Sequence, residues 1–328
     1  MHDDSYPRLL GDVGGTNARF AWQSHEGSPL SEVATLACAN HASLLDAIHQ
    51  YLRMHDKVQA AACAIGIANP ITGDQVRMTN HHWSFSIAGL QHALGLQRLV
   101  VINDFTALAL SLPALGSADL RALGGGLAVP GGPLAVLGPG TGLGVSGLFP
   151  LGAGAGFLPI NGEGGHVSLA PANEQEAAVI LRLQSRFGHA SAERALSGPG
   201  LVNLYDAACA LAGAAAERLE PSDVLERATS GTDRHCAVAL DLFCGFLGSV
   251  AGNLALTLGA RGGVYIGGGI APRIVGELER SAFRARFEAK GRFRDYLAGI
   301  PTFVIDAQTS PALLGAARAL DSNRAPNP

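Results

Sequence analysis

Apolar residues along the chain change period at a few points, and those changes predict its elements. An apolar run ending at Leu10 breaks into the acidic, glycine-rich Gly11-Asp-Val-Gly-Gly-Thr16 and resumes at Phe20-Ala-Trp22, the pattern of a β-hairpin. Residues 33–38 read as a third strand. Behind Ser43, a helix-capping residue type, Leu44, Leu45, Ile48, Tyr51 and Leu52 share one helical face. Residues 60–68 form a continuous small-apolar strand closed by Pro70 and Gly73, and 76–78 continue as a short strand. A polar and aromatic loop over 79–86 precedes a helix near 87–94. Leu99-Val-Val-Ile102 is a buried strand that ends in two polar side chains, Asn103 and Asp104, before an apolar helix over 105–112. In open α/β sheets ligands gather at such carboxyl ends.

The pattern loosens past Pro113, where Gly124-Gly-Gly126 and Val129-Pro-Gly-Gly-Pro133 predict a flexible connection and a domain boundary. Leu134-Ala-Val-Leu137 then runs into Gly138-Pro-Gly-Thr-Gly-Leu-Gly144 and a strand over 145–149, repeating the strand, glycine turn, strand order of residues 10–22. A third such turn lies at Gly262-Gly-Val-Tyr-Ile-Gly-Gly-Gly269, at a similar spacing, which suggests a duplicated unit. Between these turns, Asn173 with Glu176 resembles a capping box before a helix over 177–186, and Ser197-Gly-Pro-Gly200 precedes another helix. An apolar helix over about 236–258 carries Gly245, Gly248 and Gly252 near one face. Each glycine costs a helix interior about 1 kcal/mol, so the stripe implies close helix packing. Residues 321–328 read as a disordered tail.

Composition narrows the class. A chain of 328 residues accommodates two domains, and 48% hydrophobic against 15% charged residues marks a compact, soluble globular protein. A formal net charge of −4, without a Lys or Arg run, argues against nucleic-acid partners. The acidic N-terminus lacks the apolar core of a leader, and no apolar run reaches the roughly 18 residues of a membrane span. The expectation is a cytoplasmic protein with no membrane partner. Five cysteines without a CxxC pair read as reduced, small core residues and not as metal ligands.

The glycine turns carry the candidate chemistry. Gly14 and Gly15 can take positive φ, so consecutive N–H groups can converge on an anion. Thr16 adds a hydroxyl donor, and Asp12 can face a divalent cation. An ordinary hairpin turn remains open from this stretch alone. Three glycine turns together suit a nucleoside triphosphate. Gly142-Leu-Gly-Val-Ser-Gly147 formally fits GxGxxG, but it leads into a strand where a dinucleotide site needs a helix N-terminus, and no GxxxxGK[ST] occurs.

Seven segments, in order, resemble the bacterial glucokinases of the proteobacterial type: Asp12-Val-Gly-Gly-Thr-Asn-Ala-Arg19, Met78-Thr-Asn-His-His82 before Trp83-Ser-Phe-Ser86, Ile102-Asn-Asp-Phe-Thr106, Gly138 to Gly144, Gly162-Glu-Gly-Gly-His166, Ser191-Ala-Glu-Arg-Ala-Leu-Ser-Gly-Pro-Gly200 and Gly267-Gly-Gly-Ile-Ala-Pro272. That family belongs to the superfamily of actin, sugar kinases and heat-shock chaperone ATPases. The resemblance implies an α/β fold of two ribonuclease-H-like (actin-like ATPase) domains with a cleft between them. The smaller would span 1–114 plus about 304–320, with strand 301–306 and the next helix returning to it, and the larger 115–303. It implies that ATP and Mg²⁺ bind in that cleft, that the γ-phosphoryl group passes to the 6-hydroxyl of glucose, and that the protein is a cytoplasmic homodimer.

Carried over by position, Asp104 matches the general base, and Asn103, Asp104, Glu163, His166 and Glu193 match glucose ligands. Gly11, Asp12, Val13, Gly14, Gly15, Thr16, Gly140, Thr141 and Gly268 match the nucleotide site, with Asp12 near Mg²⁺, directly or through water. Two bland alternatives stand beside these roles: Asp104 reads equally as a helix N-cap, and His166 as a structural histidine. His81 and His82 read as loop structure, and Ser84 could border the sugar. The related repressor and kinase family carries a cysteine-rich zinc motif after its ExGH segment. No cysteine follows His166 here, so no structural zinc is expected. Residues 149–159 match nothing in the family pattern. The resemblance also leaves open a kinase for another hexose. A sugar-binding regulator of the same fold is disfavoured by the missing N-terminal helix-turn-helix.

Overall fold

The computed structural model describes residues 5–79, 81–152 and 156–321, and it opens with a meander of β1 (Arg8–Val13), β2 (Asn17–Gln23) and β3 (Ser31–Ala37). Helix α1 (Leu44–Met54) follows, with Ser43 Oγ accepting the Asp46 N–H at 3.1 Å and Leu44, Ile48, Tyr51 and Leu52 buried at the predicted spacing. The chain continues through β4 (Ala62–Ile67), β5 (Gln75–Arg77), β6 (Ser84–Ser86), α2 (Ile87–Ala93), β7 (Arg98–Asn103) and α3 (Asp104–Ser111). Of residues 79–86, expected as loop, three form β6, antiparallel to β5 and too short to show a period.

The second half runs through β8 (Leu120–Ala122), β9 (Leu134–Pro139), β10 (Leu143–Pro150) and β11 (Phe157–Ile160). Helices α4 (Glu174–Phe187), α5 (Gly198–Leu211), α6 (Pro221–Ser230) and α7 (Arg234–Leu258) follow, then β12 (Gly263–Ile266). Three short helices, α8 (Val275–Arg280), α9 (Phe283–Glu288) and α10 (Arg294–Ala298), precede β13 (Thr302–Ile305) and α11 (Pro311–Asp321). Contacts divide the chain into two units, one of residues up to 116 with those from 307 on, the other of 117–306. Strand β13 pairs with β12 inside the second unit, so it is the helix α11, without that strand, that returns to the first.

Each unit holds its own sheet, and the two sheets share one topology. The first is ordered β3-β2-β1-β4-β7 and the second β11-β10-β9-β12-β13, with β8 added at its edge. In both, the first three strands form an antiparallel meander and the next two add in parallel. This is the duplicated actin-like ATPase fold. The repeat also corrects the reading of the third glycine turn. It follows β12, the counterpart of β4, and leads into the short helical turn Ala271–Ile274 and α8, not into a strand.

Several glycines mark close backbone approaches. A Cβ on Gly315 of α11 would land on the Ala107 carbonyl oxygen of α3, and one on Gly66 would sit 2.9 Å from the Ala107 Cβ. In α7, a Cβ at Gly248 or Gly252 would strike the carbonyl oxygens of Phe283 and Phe287, so α9 packs on that stripe as expected. Gly245 meets only the Glu176 side chain, at 3.7 Å. The sequence reading of Gly124-Gly-Gly126 as flexible is incorrect. A Cβ on Gly125 would collide with the Ile300 carbonyl, and Gly124 O accepts the Thr302 N–H at 3.0 Å, so the stretch is packed backbone. Nor does the apolar-run criterion hold, because α7 is long and apolar enough to cross a membrane. Its apolar residues are largely buried in the core of the second unit, against α5, α6 and α9. All five cysteines are buried and free, as core residues. The tail expected over 321–328 lies outside the described residues apart from Asp321, as do residues 153–155 of the 149–159 stretch and Asn80.

Candidate active site

The first unit builds its polar cluster at the carboxyl ends of β1 and β7. Central position fixes β1, which lies antiparallel to β2 and parallel to β4 with Gly11 opposite Phe20 and Ile65. Gly11 and Val13 are therefore buried backbone of the sheet, and Asp12 projects from its end. The hairpin turn does not use positive φ, since neither Gly14 nor Gly15 adopts it. Gly14 donates its N–H to Asn17 O at 2.9 Å within the turn. Among the described residues the Gly15 and Thr16 N–H groups have no partner, which leaves two donors and the Thr16 hydroxyl for an anion.

Asp12 is held by two donors that sequence reasoning did not single out. Arg19 Nη1 reaches Asp12 Oδ2 at 3.2 Å, and Ser310 Oγ donates to the same oxygen at 2.6 Å. Arg19 is opposite Asp12 in the β1–β2 register, a pairing the hairpin itself could have disclosed. Ser310 lies far along the chain, with no local signal.

At the end of β7 the capping role falls to Asn103 and not to Asp104. Asn103 Oδ1 accepts the N–H groups of Phe105 and Thr106 at 2.9 and 3.2 Å. Asp104 becomes the first helical residue, and its Oδ1 shares the Phe105 N–H at 2.9 Å. With its oxygen committed to the helix, the Asn103 amide presents its Nδ2, which points toward Asn69 O at 3.5 Å. Burial pushes the Asp104 carboxyl from its ordinary 3.8 up to about 6; the Phe105 N–H opposes the rise and the Asp12 charge adds to it. A carboxylate poised just below neutrality is suited to accept a proton.

The second unit gathers Glu163, His166 and Glu193. Ser168 and Ser191 form an antiparallel bridge, flanked by hydrogen bonds from Leu169 N to Ala190 O and from Ala192 N to Val167 O. That zip draws the segment after His166 beside the segment before Glu193, leaving His166 Nδ1 4.0 Å from Glu193 Oε1. His166 is 58% exposed and Glu193 29%, so both remain accessible to a ligand. Glu163 precedes the short helical turn Gly164–His166 and is exposed. Gly165 admits no side chain, since its Cβ would meet the Leu143 carbonyl, and this presses the turn onto β10.

Glu193 also binds the second glycine turn: its Oε2 accepts the Leu143 N–H at 2.9 Å. Gly140 spends its N–H on Gly142 O and receives the Gly198 N–H of α5 on its carbonyl, both at 2.8 Å. Thr141 is exposed, and a Cβ at Gly140 would meet open space. Gly268 does take positive φ, +78°, and its turn lies directly against the second one, where a Cβ would land on Pro139 O. The His81 ring lies 4.2 Å from that of His82 and meets Trp83 edge-on at 4.8 Å.

The chain matches the glucokinase family model over residues 9–323. It is 57% identical to a glucokinase of Aromatoleum aromaticum, over 97% of this chain and 96% of that one. It is 53% identical to a glucokinase of Chromobacterium violaceum, over 98% and 92%. Among solved structures, the glucokinase of an Antarctic psychrotroph superposes with a TM-score of 0.87 at 35% identity, covering 97% of this chain and 99% of that one.

Proposed function

This chain belongs to the glucokinase family, and on that premise we propose that it phosphorylates glucose at the 6-hydroxyl with ATP as donor, Asp104 acting as the general base. The observation that carries the base assignment is the state of Asp104: half-buried, first in the helix that Asn103 caps, and raised to about 6. A sugar hydroxyl is a very weak acid, and phosphoryl transfer proceeds through a loose transition state. Asp104 therefore orients the attacking oxygen and accepts its proton as the new P–O bond forms. Such a base contributes about 10²–10⁴-fold, and positioning and charge stabilisation supply the rest.

The sugar ligands in this reading are Asn103, through its Nδ2, with Glu163, His166 and Glu193. Acidic and amide groups with one imidazole match a polyhydroxyl ligand. A sugar that lacks one hydroxyl leaves one of these groups unpaired, at about 1–3 kcal/mol. Gly15 and Thr16 donate to phosphate from the first turn, with Thr141 in the second turn, while Gly268 shapes the third. Glu193, bonded to Leu143 N, links a sugar ligand to a phosphate turn.

Mg²⁺ belongs to the same reading. Among the described residues no three His, Cys, Asp or Glu side chains could hold a metal. Mg²⁺ commonly takes one or two carboxylates and completes its shell with phosphates and water. Asp12 fits: Oδ2 is held by Arg19 and Ser310, and Oδ1 has no partner among the described residues. When bound, the ion would offset the charge of the phosphates. A cytoplasmic homodimer completes the reading, and sedimentation of the purified protein tests the dimer. The function itself is tested by a coupled assay over a panel of hexoses and phosphoryl donors. Glucose with ATP should give the highest kcat/KM, and Asp104→Ala should lose at least about 10²-fold in kcat. Near-normal turnover by that variant would remove Asp104 from the mechanism.

A further inference from the structure

Behind the Gly164–His166 turn, within the second unit, lies a cavity of about 380 Å³ to which none of the roles above assigns a ligand. The size falls in the range of small-molecule pockets, roughly 300–1,000 Å³. It is lined by Val250 and Leu254 of α7, by Val145 with Gly164 and the backbone that runs on to α4, and by Arg286 and Lys290. None of the lining residues is acidic.

The two lining cations differ. Arg286 is committed, with Nη1 and Nη2 on the carboxylate of Glu176 at 2.6 and 2.9 Å and further bonds to Ser249 Oγ. Glu176, 3% exposed, also accepts the Ala172 N–H, so its charge is fully used. Lys290 is half-buried, donates to Ser249 O at 3.0 Å, and has no carboxylate partner among the described residues. Burial and the neighbouring Arg286 hold its pKa below the usual lysine value. Partly desolvated cations are normally paired, and this one faces a mostly apolar cavity instead.

We propose that the cavity is a second ligand site, for a small amphipathic carboxylate, with its apolar body between Val250, Leu254 and Val145 and its carboxylate on Lys290 Nζ. The charge count selects the class. One uncommitted ammonium balances one negative charge, whereas a phosphate monoester would bring a second with no cation to meet it. The site also touches the sugar loop. Gly164 lines it and lies between Glu163 and His166, so a ligand there bears on the backbone that orients both. This coupling, unlike the binding itself, rests on the sugar-ligand roles proposed above.

Calorimetric titration with octanoate tests the site without reference to catalysis. Octanoate should bind the wild-type protein, and Lys290→Gln should weaken it by about 10–100-fold, the value of a charge-assisted hydrogen bond. Asn253→Trp, which plugs the cavity from an exposed position, should abolish binding with the melting temperature unchanged. Absence of octanoate binding to the wild type, or equal binding to the Lys290→Gln and Asn253→Trp variants, overturns the proposal. Octanoate and glucose should alter each other's Kd by the same factor. Octanoate binding with an unaltered glucose Kd overturns the coupling. A protein that binds octanoate but not glucose contradicts the sugar-site reading and leaves the second site standing.

Discussion

Ser310 Oγ and Asp12 Oδ2 lie 2.6 Å apart although 298 positions separate them, and Arg19 holds the same oxygen from the neighbouring strand. The entry to α11 thus fixes the carboxylate at the first glycine turn. A hydrogen bond to a charged group is worth about 1.5–3 kcal/mol. Ser310→Ala should lower kcat/KM for ATP by about tenfold or more, with Ser310→Thr restoring most of it. Steady-state kinetics at varied ATP checks this. A fall in melting temperature with kcat/KM intact would show that the contact serves the fold alone.

With Asp104 as the proposed base, the acidic limb of the pH profile should follow its ionisation. Its carboxyl is raised to about 6, and the base must be ionised to accept a proton. kcat/KM for glucose should rise with pH through a midpoint near 6 and level off above it. Asp12 contributes to that elevation, behind burial. The residual activity of Asp12→Asn should therefore have its midpoint below that of wild type. An unmoved midpoint in that variant would detach the limb from this pair of carboxylates.

The visible and the hidden parts of the site divide by sequence distance. Local signals disclosed the β1–β2 hairpin, the Ser43 cap, the polar end of β7 and the α7 glycine stripe, because each depends on residues within a few turns of one another. Asp104 and Asn103 stand next to one another, and the cap that the sequence offers at Asp104 falls to Asn103, since both side chains are good caps and only the backbone decides between them. The third glycine turn looked like the first two because glycine spacing does not reveal whether strand or helix follows. Ser310 on Asp12, the Arg286–Glu176 pair and the zip between Ser168 and Ser191 join segments with no periodic relation, so nothing in the chain pattern announced them.

The poised state of Asp104 has a cost in stability. Its proton is held more tightly in the folded than in the unfolded chain, so its stabilising contribution is complete below the ordinary 3.8 and disappears as pH rises through about 6. At 1.36 kcal/mol per pKa unit, the ionised carboxylate costs the folded state about 3 kcal/mol. Asp104→Asn should lose activity and gain stability relative to wild type, with the gain growing by about 2 kcal/mol between about pH 4.5 and about pH 7.5. Urea unfolding at the two pH values measures it, and a constant difference would show that the site does not strain the carboxylate.

In the proposed site Asn103 has two tasks at opposite ends of one amide, and substitution can separate them. Oδ1 caps α3 through Phe105 and Thr106, while Nδ2, which donates one N–H to Asn69 O at 3.5 Å, keeps the other for a sugar hydroxyl. Serine retains a capping oxygen but has no amide to extend toward the ligand. Asn103→Ser should therefore keep stability within about 0.5 kcal/mol and raise the glucose Kd by about tenfold, the value of one hydrogen bond of about 1.4 kcal/mol. Asn103→Ala should show the same loss of affinity together with about 1 kcal/mol of destabilisation from the missing cap. Calorimetry with glucose and denaturant unfolding on both variants distinguish the effects. If Asn103→Ser bound glucose as tightly as wild type, the residue would be a cap only, and the sugar would have to be read without it.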